Sequence, residues 1–252
     1  MHVAVFVLLC CPALVAAQPE KLAVDRPGQS ESATTIPAGS FQVESGFAVL
    51  PAGNGPAGLD LPDVLLRLGL GDHIEFRAEG GASRTYDQER GEDWAMNTPE
   101  LALKVGMGDG GGTGITTAVL AKAGIPAWAD ADARGLWPSL LLAADSDFGE
   151  RFGLGTNVGM AWEGTASTAF CSLSGGLDVS SKLGVFAELY SAFPEDAEGD
   201  HRWDCGASWA FGERMLMDAS FGSGFQGQGW FVGAGFSFRV GLWNTSPPTS
   251  GP

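Results

Sequence analysis

The sequence predicts an all-β protein: a transmembrane, antiparallel, up-and-down β-barrel of about twelve strands, with tight turns at one end and longer loops at the other. Four nearly identical turn motifs, long stretches of alternating apolar and small residues, and the composition lead to this prediction. The chain of 252 residues is 44% hydrophobic and contains 38 glycines and 8 tryptophans, yet its net charge is −16. A high apolar content and a large net charge are compatible in strands that cross a membrane, because only every second residue of such a strand has to be apolar.

Four short segments share the order apolar, small, polar or acidic, basic, apolar; they lie at 70–74, 148–152, 179–183 and 211–215. Glycine, serine and aspartate at their centres supply the positive φ angles and local hydrogen bonds that tight hairpin turns require. A fifth, looser turn is the Gly-rich stretch 107–113. Because these turns recur at intervals of roughly 30–40 residues, the chain is expected to form successive β-hairpins whose tight turns all lie at one end.

The segment 229–240 is the clearest strand. Trp230, Val232 and Phe236 share one face, whereas Gly233 and Ser237 lie on the other. Alternation with period two over this length predicts a strand with one apolar face, and a helix is disfavoured because each interior glycine would cost it about 1 kcal/mol. The same pattern gives twelve strands, near 41–50, 61–70, 73–82, 97–107, 114–123, 137–145, 152–163, 166–178, 183–193, 201–210, 214–223 and 229–240.

An even number of strands closes into a barrel without exposed edges and returns both ends of the chain to the same side. The tight turns are then expected in the periplasm and the longer connections outside, near 51–60, 83–96, 124–136, 194–200 and 224–228, with a short one at Gly164. Aromatic residues support this orientation as two belts, one at each membrane interface. The loop-side belt is Trp137, Trp162, Trp203 and Trp230; the turn-side belt is Phe41, Phe148, Phe152, Phe211 and Phe238.

Four regions follow from this pattern. Residues 1–17 are apolar and end in Val15-Ala16-Ala17, which predicts a cleaved signal peptide; a lipoprotein signal at Cys10 or Cys11 fits less well, because Leu9 is not small. Residues 18–40 form a polar segment that lies in the periplasm or, as we favour, folds into the lumen. The barrel spans 41–240, and 241–252 is a Pro-rich tail. Cys171 and Cys205 are expected to be unpaired small side chains rather than a disulfide.

The strand alternation also predicts which polar side chains face the barrel interior, because a Lys or Arg at the lipid midplane costs about 2–4 kcal/mol. Two interpretations remain open: these charges pair across the lumen and fill it, or they line a polar conduit with a mild preference for cations. The predicted lumen-lining set is Glu44, Arg67, Glu75, Arg77, Glu79, Glu100, Lys104, Lys122, Asp145, Asn157, Glu163, Asp178, Glu188, Tyr190, Arg202, Asp204, Asp218 and Arg239.

No motif for a cofactor, a metal ion or an energy-coupling reaction is visible, so neither catalytic nor metal-binding residues are predicted. The spacing Gly106-x-Gly108-x-x-Gly111 matches a dinucleotide fingerprint, but a β-segment follows it instead of the helix that such a site needs. His201, beside Asp200 and Ser191, is the one candidate for a surface hydrolase site. We expect the protein not to be an enzyme.

The region ahead of the first strand carries a distinctive motif, Asp25-Arg26-Pro27, Ser30-Glu31, Thr35-Ile36-Pro37-x-Gly39 and Phe41-Gln42-Val43-Glu44-x-Gly46. It resembles the opening of a bacterial outer-membrane β-barrel family of transporters named for the phenol meta-cleavage degradation pathway. The resemblance covers about 25–240. It implies a monomeric barrel that passes small, often aromatic, molecules. The polar tail after Trp243 departs from the family, whose barrels usually end on an aromatic residue.

The combined expectation is an outer-membrane channel of a Gram-negative-type cell that passes small, possibly aromatic or hydrophobic, solutes passively. Its partners would be outer-membrane lipids, the barrel-assembly machinery and a small-molecule solute; the acidic balance argues against nucleic acid. Two alternatives remain: a structural or adhesive barrel with a filled lumen, and a barrel hydrolase that uses His201.

Overall fold

A computed structural model describes residues 22–50, 57–87, 91–108, 114–130, 134–225 and 229–243. The predicted signal peptide, the two cysteines within it and most of the C-terminal tail lie outside these residues. The strands are β1 (Ser40–Leu50), β2 (Ala57–Gly71), β3 (Ile74–Asp87), β4 (Gly91–Met96), β5 (Glu100–Gly106), β6 (Ile115–Gly124), β7 (Trp137–Phe148), β8 (Phe152–Glu163), β9 (Ala166–Asp178), β10 (Leu183–Pro194), β11 (Asp200–Ala210), β12 (Met215–Gly224) and β13 (Trp230–Gly241).

The strands form one antiparallel sheet that closes on itself, so the predicted fold class is confirmed. Apart from β4 and β5, which do not pair with each other, each strand pairs with its sequence neighbour, and β1 pairs with β13 from Ser40↔Gly241 to Val49↔Val232. β2 lies between β1 and β3 and pairs with both, which completes the ring. Closure removes the free edges of the ring, and β4, which among the described strands pairs with β3 alone, keeps one open edge.

The barrel has twelve strand positions, although thirteen strands are present, because β4 and β5 share one position. β3 pairs with β5 from Ile74 to Glu79 and with β4 from Ala82 to Asp87. Residues 97–99 separate β4 from β5, and Pro99 has no N–H to continue the ladder. The predicted strand 97–107 is therefore shorter, and the predicted loop 83–96 is instead a β-hairpin that extends the barrel wall.

The tight turns lie where the sequence places them. The β7–β8 and β11–β12 turns each contain a glycine with positive φ, Gly149 at 71° and Gly212 at 78°, a conformation that side chains with a Cβ disfavour. In the β9–β10 turn the Ser180 hydroxyl accepts hydrogen bonds from the backbone N–H groups of Lys182 and Leu183. We refer below to this end of the barrel as the turn end and to the other as the loop end.

Alternation along the strands separates an apolar outside from a polar inside. Most of the exposed large side chains are apolar and face outward, including Leu154, Val158, Leu189 and Phe221. Trp137 is an exception to the predicted aromatic belt. It pairs with Gly124 and shares the inward face with Ser139 and Leu141, so it faces the lumen and not the membrane. Among the described residues, no helix is long and apolar enough to cross a membrane.

Candidate functional site: the lumen and its internal plug

The lumen is lined by the charged and polar side chains of the inward face. Half of the residues predicted to line it are fully buried there, and the remainder lie on the same face with greater exposure. The buried group is Glu44, Arg67, Glu75, Arg77, Lys104, Asn157, Glu188, Asp204 and Asp218. The partly exposed group is Glu79, Glu100, Lys122, Asp145, Asp178, Tyr190, Arg202 and Arg239, and Glu163 is exposed near the loop end.

Residues 22–39, which we call the plug, run through the lumen and explain this burial. Backbone N–H groups of the plug donate hydrogen bonds to inward side chains all around the wall. Examples are Asp25 N to Glu44 (2.9 Å), Ala33 N to Asp145 (2.6 Å) and Ile36 N to Glu75 (2.7 Å). The plug therefore uses the carboxylates of at least three separate strands in place of a sheet partner.

On β8, Asn157 binds the plug from both ends of its side-chain amide. Its Oδ1 accepts from Glu31 N (2.7 Å), and its Nδ2 donates to the Glu31 carbonyl (2.8 Å). Nearby, the Ser30 and Ser172 hydroxyls are 2.7 Å apart. This pairing fixes the register of the plug against β8 and β9, because a shift by one residue would leave both amide groups unpaired.

Two arginines form the centre of the site. Arg67 on β2 contacts Glu44 (2.8 Å), Glu75 (2.7 Å) and Asp25 (3.2 Å). Arg77 on β3 contacts the same Glu75 and Asp25, at 2.6 and 2.5 Å, and also pairs with Glu31. Two residues of the plug thus complete a network whose other members are on β1, β2 and β3. Guanidinium groups suit this role because each offers five donors in a planar fork.

The same arginines set the ionisation of the plug carboxylates. Burial by itself would raise the pKa of Asp25, but Arg67 and Arg77 outweigh it and hold that pKa well below the ordinary value of 3.8. Burial also opposes ionisation of Glu31, yet Arg77 and Lys122 lower its pKa from the ordinary value of 4.5. Both plug carboxylates are therefore charged at neutral pH, and that charge contributes to holding the plug in place.

Two lysines connect the plug to the other walls. Lys104 on β5 donates to the Thr34 carbonyl at 2.9 Å. Lys122 on β6 lies 3.0 Å from Glu31 and 3.5 Å from both Glu79 and Glu100. Lys122 therefore lies between the buried network of Arg67 and Arg77 and an acidic cavity nearer the loop end.

That cavity, of about 220 Å³, opens near the loop end and is lined by Asp60, Asp63, Glu79, Glu100 and Asn97 among others. Asp60 and Asp63 were not among the residues predicted to line the lumen. A bulge in β2 between Leu61 and Val64 shifts the alternation, so both aspartates reach the same side. Bulges leave little trace in a sequence, and only the strand register reveals this one.

Glycines make room for the plug at close approaches. A Cβ at Gly46 would come within 1.9 Å of Arg26 Nη2, and a Cβ at Gly69 would come within 2.1 Å of the Pro37 carbonyl oxygen. The Arg26 guanidinium lies 3.9 Å from both Asp63 and Asp218. The glycines of the family motif and of β2 thus have a steric role that strand alternation alone does not reveal.

An apolar cluster also lies inside the barrel. Ala33 of the plug packs with Ala118 and Leu120 of β6 and with Leu141 and Ala143 of β7. These apolar residues were not predicted to face the lumen, because β6 and β7 are largely apolar on both faces and only Lys122 and Asp145 indicate which face is inward.

Outside the lumen, Ser191 and His201 meet as a cross-strand pair, with 2.9 Å between Oγ and Nδ1. Asp200 does not join them, because it lies on the opposite face of β11 and its carboxylate accepts from Arg202 at 2.8 Å. Within the part of the chain that the structure describes, no acidic side chain, the group that orients the histidine in a hydrolase triad, is shown to pair with His201. Cys171 and Cys205 are both free and exposed. Among the described residues, no group of three or more His, Cys, Asp or Glu side chains is arranged to hold a metal ion.

Comparison with known proteins agrees with this architecture. Residues 24–240 match the model of the family described as "Putative MetA-pathway of phenol degradation". The chain belongs to this family. No curated protein sequence matches the chain.

Solved structures of low sequence identity share the fold of this family member. The COG4313 outer membrane channel from Pseudomonas putida F1 has a TM-score of 0.60 at 11% identity, and the alignment covers 86% of this chain and 100% of that chain. The NanC porin has a TM-score of 0.58 at 7% identity and coverages of 79% and 100%. The KdgM porin in complex with disordered oligogalacturonate has a TM-score of 0.54 at 6% identity and coverages of 79% and 98%.

Proposed function

We propose that this protein is a channel of the outer membrane through which small solutes pass passively, and that the plug moves to admit them. The observation that carries the proposal is how the plug is held. Among the described residues, 22–36 make no backbone–backbone hydrogen bond with the barrel wall, and each of their hydrogen bonds to the wall uses a side chain. A segment bound in this way can shift without breaking the sheet, whereas a segment built into the sheet cannot.

The outer surface supports the location. Apolar side chains cover it on every strand from β5 to β13, as expected for a wall in contact with lipid. The matching structures with this fold are named as an outer membrane channel and as porins. Outer-membrane lipids are thus the proposed surroundings, and the barrel-assembly machinery the proposed route of insertion, after export by a cleaved signal peptide.

The solute class follows from the charges at the mouth. Asp60, Asp63, Glu79 and Glu100 line the cavity at the loop end, and Lys122 is the one cation of the described residues paired there with Glu79 and Glu100. Acidic rings favour cations over anions. The proposed solutes are therefore small and neutral or cationic, and the family resemblance adds aromatic molecules to this class.

The experiment is single-channel recording of the purified, refolded protein in a planar bilayer with a salt gradient across it. We expect steady conductance steps and a reversal potential biased toward cations. Heat-modifiable migration on gels would show beforehand that the barrel is folded. Folded protein that stays silent in all recordings would contradict the proposal.

A second function, a structural or adhesive barrel with a filled lumen, is favoured by one specific observation. The buried network around Arg67 and Arg77 uses wall and plug carboxylates together, so paired charges occupy that part of the lumen. Silence of the folded protein in the recordings would support this second function, since the plug would then be a permanent part of the structure.

A further inference from the structure

Asp204 on β11 is a buried carboxylate that the chain leaves without a partner. Its exposed fraction is 1%, and neither of its carboxylate oxygens accepts a hydrogen bond. Its position in β11 places it on the inward face with Arg202 and Ser208. A carboxylate removed from water without a compensating group carries a large desolvation penalty. Such a carboxyl group is neutral unless a cation binds beside it, which makes Asp204 a candidate part of a cation site.

The side chain directly opposite on the next strand is also an acid. Glu188 of β10 pairs in register with Asp204 and is 3% exposed. Like charges at directly opposite positions of antiparallel strands repel each other. Glu188 is satisfied by the plug, since it accepts hydrogen bonds from the backbone N–H groups of Gln29 and Ser30.

Within the described residues, no basic side chain forms an ion pair with either acid. Arg202, on the same strand as Asp204, pairs with Asp200 instead, at 2.8 Å. Arg26 of the plug points toward Asp63 and Asp218. The two acids thus form a patch with which no basic side chain of the described lumen forms an ion pair.

Aromatic rings surround this patch. A Cβ at Gly222, the register partner of Asp204, would lie 2.4 Å from the Phe231 ring and 2.8 Å from Asp204 Cβ, so the ring and the carboxylate are neighbours. Phe186 covers Gly206 in the same way, at 2.5 Å. Phe186 and Tyr190 occupy the inward positions on either side of Glu188 along β10. Aromatic faces attract cations, and most strongly where water is excluded.

We propose that Asp204 and Glu188, flanked by Phe186, Tyr190 and Phe231, bind an organic ammonium ion that carries an apolar group. The carboxylates supply the opposite charge, and the rings contact both the ammonium and its apolar substituent. An inorganic cation would satisfy the charge but would leave the rings unused. This proposal rests on the channel function above and names one substrate class for it.

The probe is benzylammonium, with benzyl alcohol as an uncharged molecule of similar size and ring. Binding of each to the full-length protein in detergent is measured by isothermal titration calorimetry. We expect saturable binding of benzylammonium and at least tenfold weaker binding of benzyl alcohol. Asp204→Asn should weaken benzylammonium binding at least tenfold, and the matched control Glu150→Gln, in the exposed β7–β8 turn, should leave it unchanged.

Three results would overturn the site: equal binding of the two probes, undiminished binding to Asp204→Asn, or displacement of benzylammonium by sodium at the same concentration. Should Asp204→Asn fail to refold, Phe231→Leu replaces it. That variant keeps both charges and is expected to weaken benzylammonium binding more than methylammonium binding, because only benzylammonium also loses the contact of its ring; equal effects on the two amines would count against the aromatic wall.

Recordings in planar bilayers separate this proposal from the channel function. A silent barrel that still binds benzylammonium in an Asp204-dependent way would retain the site and reject the channel. A conducting barrel that does not bind benzylammonium would retain the channel and reject the site. A conducting barrel whose current benzylammonium blocks, with the block lost in Asp204→Asn, is the result we expect.

Discussion

At the scale of single residues, Arg67 supplies the positive charge that several buried carboxylates of the lumen share. Its side chain is fully buried and contacts three carboxylates, two from the wall and one from the plug. An arginine in this position is not a large source of stability by itself, because removing its charge from water offsets most of the attraction. Its loss is costly for another reason, since it would leave Glu44 and Glu75 buried with less positive charge.

We therefore predict that Arg67→Met lowers the free energy of unfolding by about 3–5 kcal/mol. The matched control is Arg84→Met, which breaks the exposed pair of Arg84 with Glu92 on the β3–β4 hairpin and should cost about 0–1 kcal/mol. Urea unfolding of the refolded protein in lipid, followed by heat-modifiable migration, gives both values. Equal effects of the two substitutions would show that burial of the Arg67 network contributes nothing.

The plug carboxylates predict a dependence on pH. Because the pKa values of Asp25 and Glu31 are lowered in the folded protein, their contribution to plug binding is present above the unfolded values of 3.8 and 4.5 and disappears as the pH falls through the folded values. Channel opening should increase as the pH falls below about 4. The variant Asp25→Asn/Glu31→Gln should open more often already at neutral pH, and an opening frequency unaffected by either change would contradict the assignment.

At the scale of elements, the plug is the part of the chain whose position decides function. Ser30 of the plug and Ser172 of β9 have hydroxyl oxygens 2.7 Å apart, close enough for a disulfide to replace the contact with little movement. Cys171 and Cys205 are free and exposed, so both are first replaced by alanine to prevent mispairing.

In that background, Ser30→Cys/Ser172→Cys is expected to form a disulfide that holds the plug in the lumen. Oxidised protein should show few or no conductance steps, and reduction should restore them, because only the free plug can move aside. Each single cysteine variant serves as a control and should conduct under both conditions. Equal currents before and after reduction of a fully formed disulfide would mean that solutes pass without movement of the plug.

At the scale of the whole molecule, four basic side chains of the lumen lie on one wall of the barrel, here called the basic wall. This wall also carries acids such as Glu75, Glu79 and Glu100, and a second wall carries acids together with Arg202. The basic side chains Arg67, Arg77, Lys104 and Lys122 lie on β2, β3, β5 and β6, whereas the acids Glu188, Asp204 and Asp218 lie on β10 to β12. The plug matches this division: Asp25 and Glu31 contact the basic wall, and Arg26 faces Asp218. Closure of the sheet brings the two walls face to face across one lumen.

Deletion of residues 22–36 should therefore change selectivity as well as conductance. The conductance is expected to rise severalfold, because the lumen loses its filling, and the cation bias to fall, because two carboxylates near the basic wall are removed with only one arginine. Reversal potentials in a salt gradient measure the second effect. A truncated barrel with an unchanged or stronger cation bias would argue that the acidic mouth alone sets selectivity.

The sequence by itself determined the barrel, its strand number, its turns and the inward face of the strands. These features follow from local chemistry: side chains alternate with period two, and tight turns require glycine, serine or aspartate at fixed places. The interruption at Pro99 and the extended β3–β4 hairpin were not predicted. Residues 83–96 are rich in charged residues, and a charged segment that contains glycine has the composition of a loop unless its pairing partner is known.

Only the tertiary structure decided how the lumen is filled. Contacts such as Ile36 to Glu75, Glu31 to Asn157 and Gln29 to Glu188 join residues up to 159 positions apart, and no local pattern encodes them. The bulge that turns Asp60 and Asp63 inward and the isolation of Asp204 depend likewise on strand register and closure. Alternation tells which side of the wall a residue faces, but only the closed barrel determines which residue it meets there.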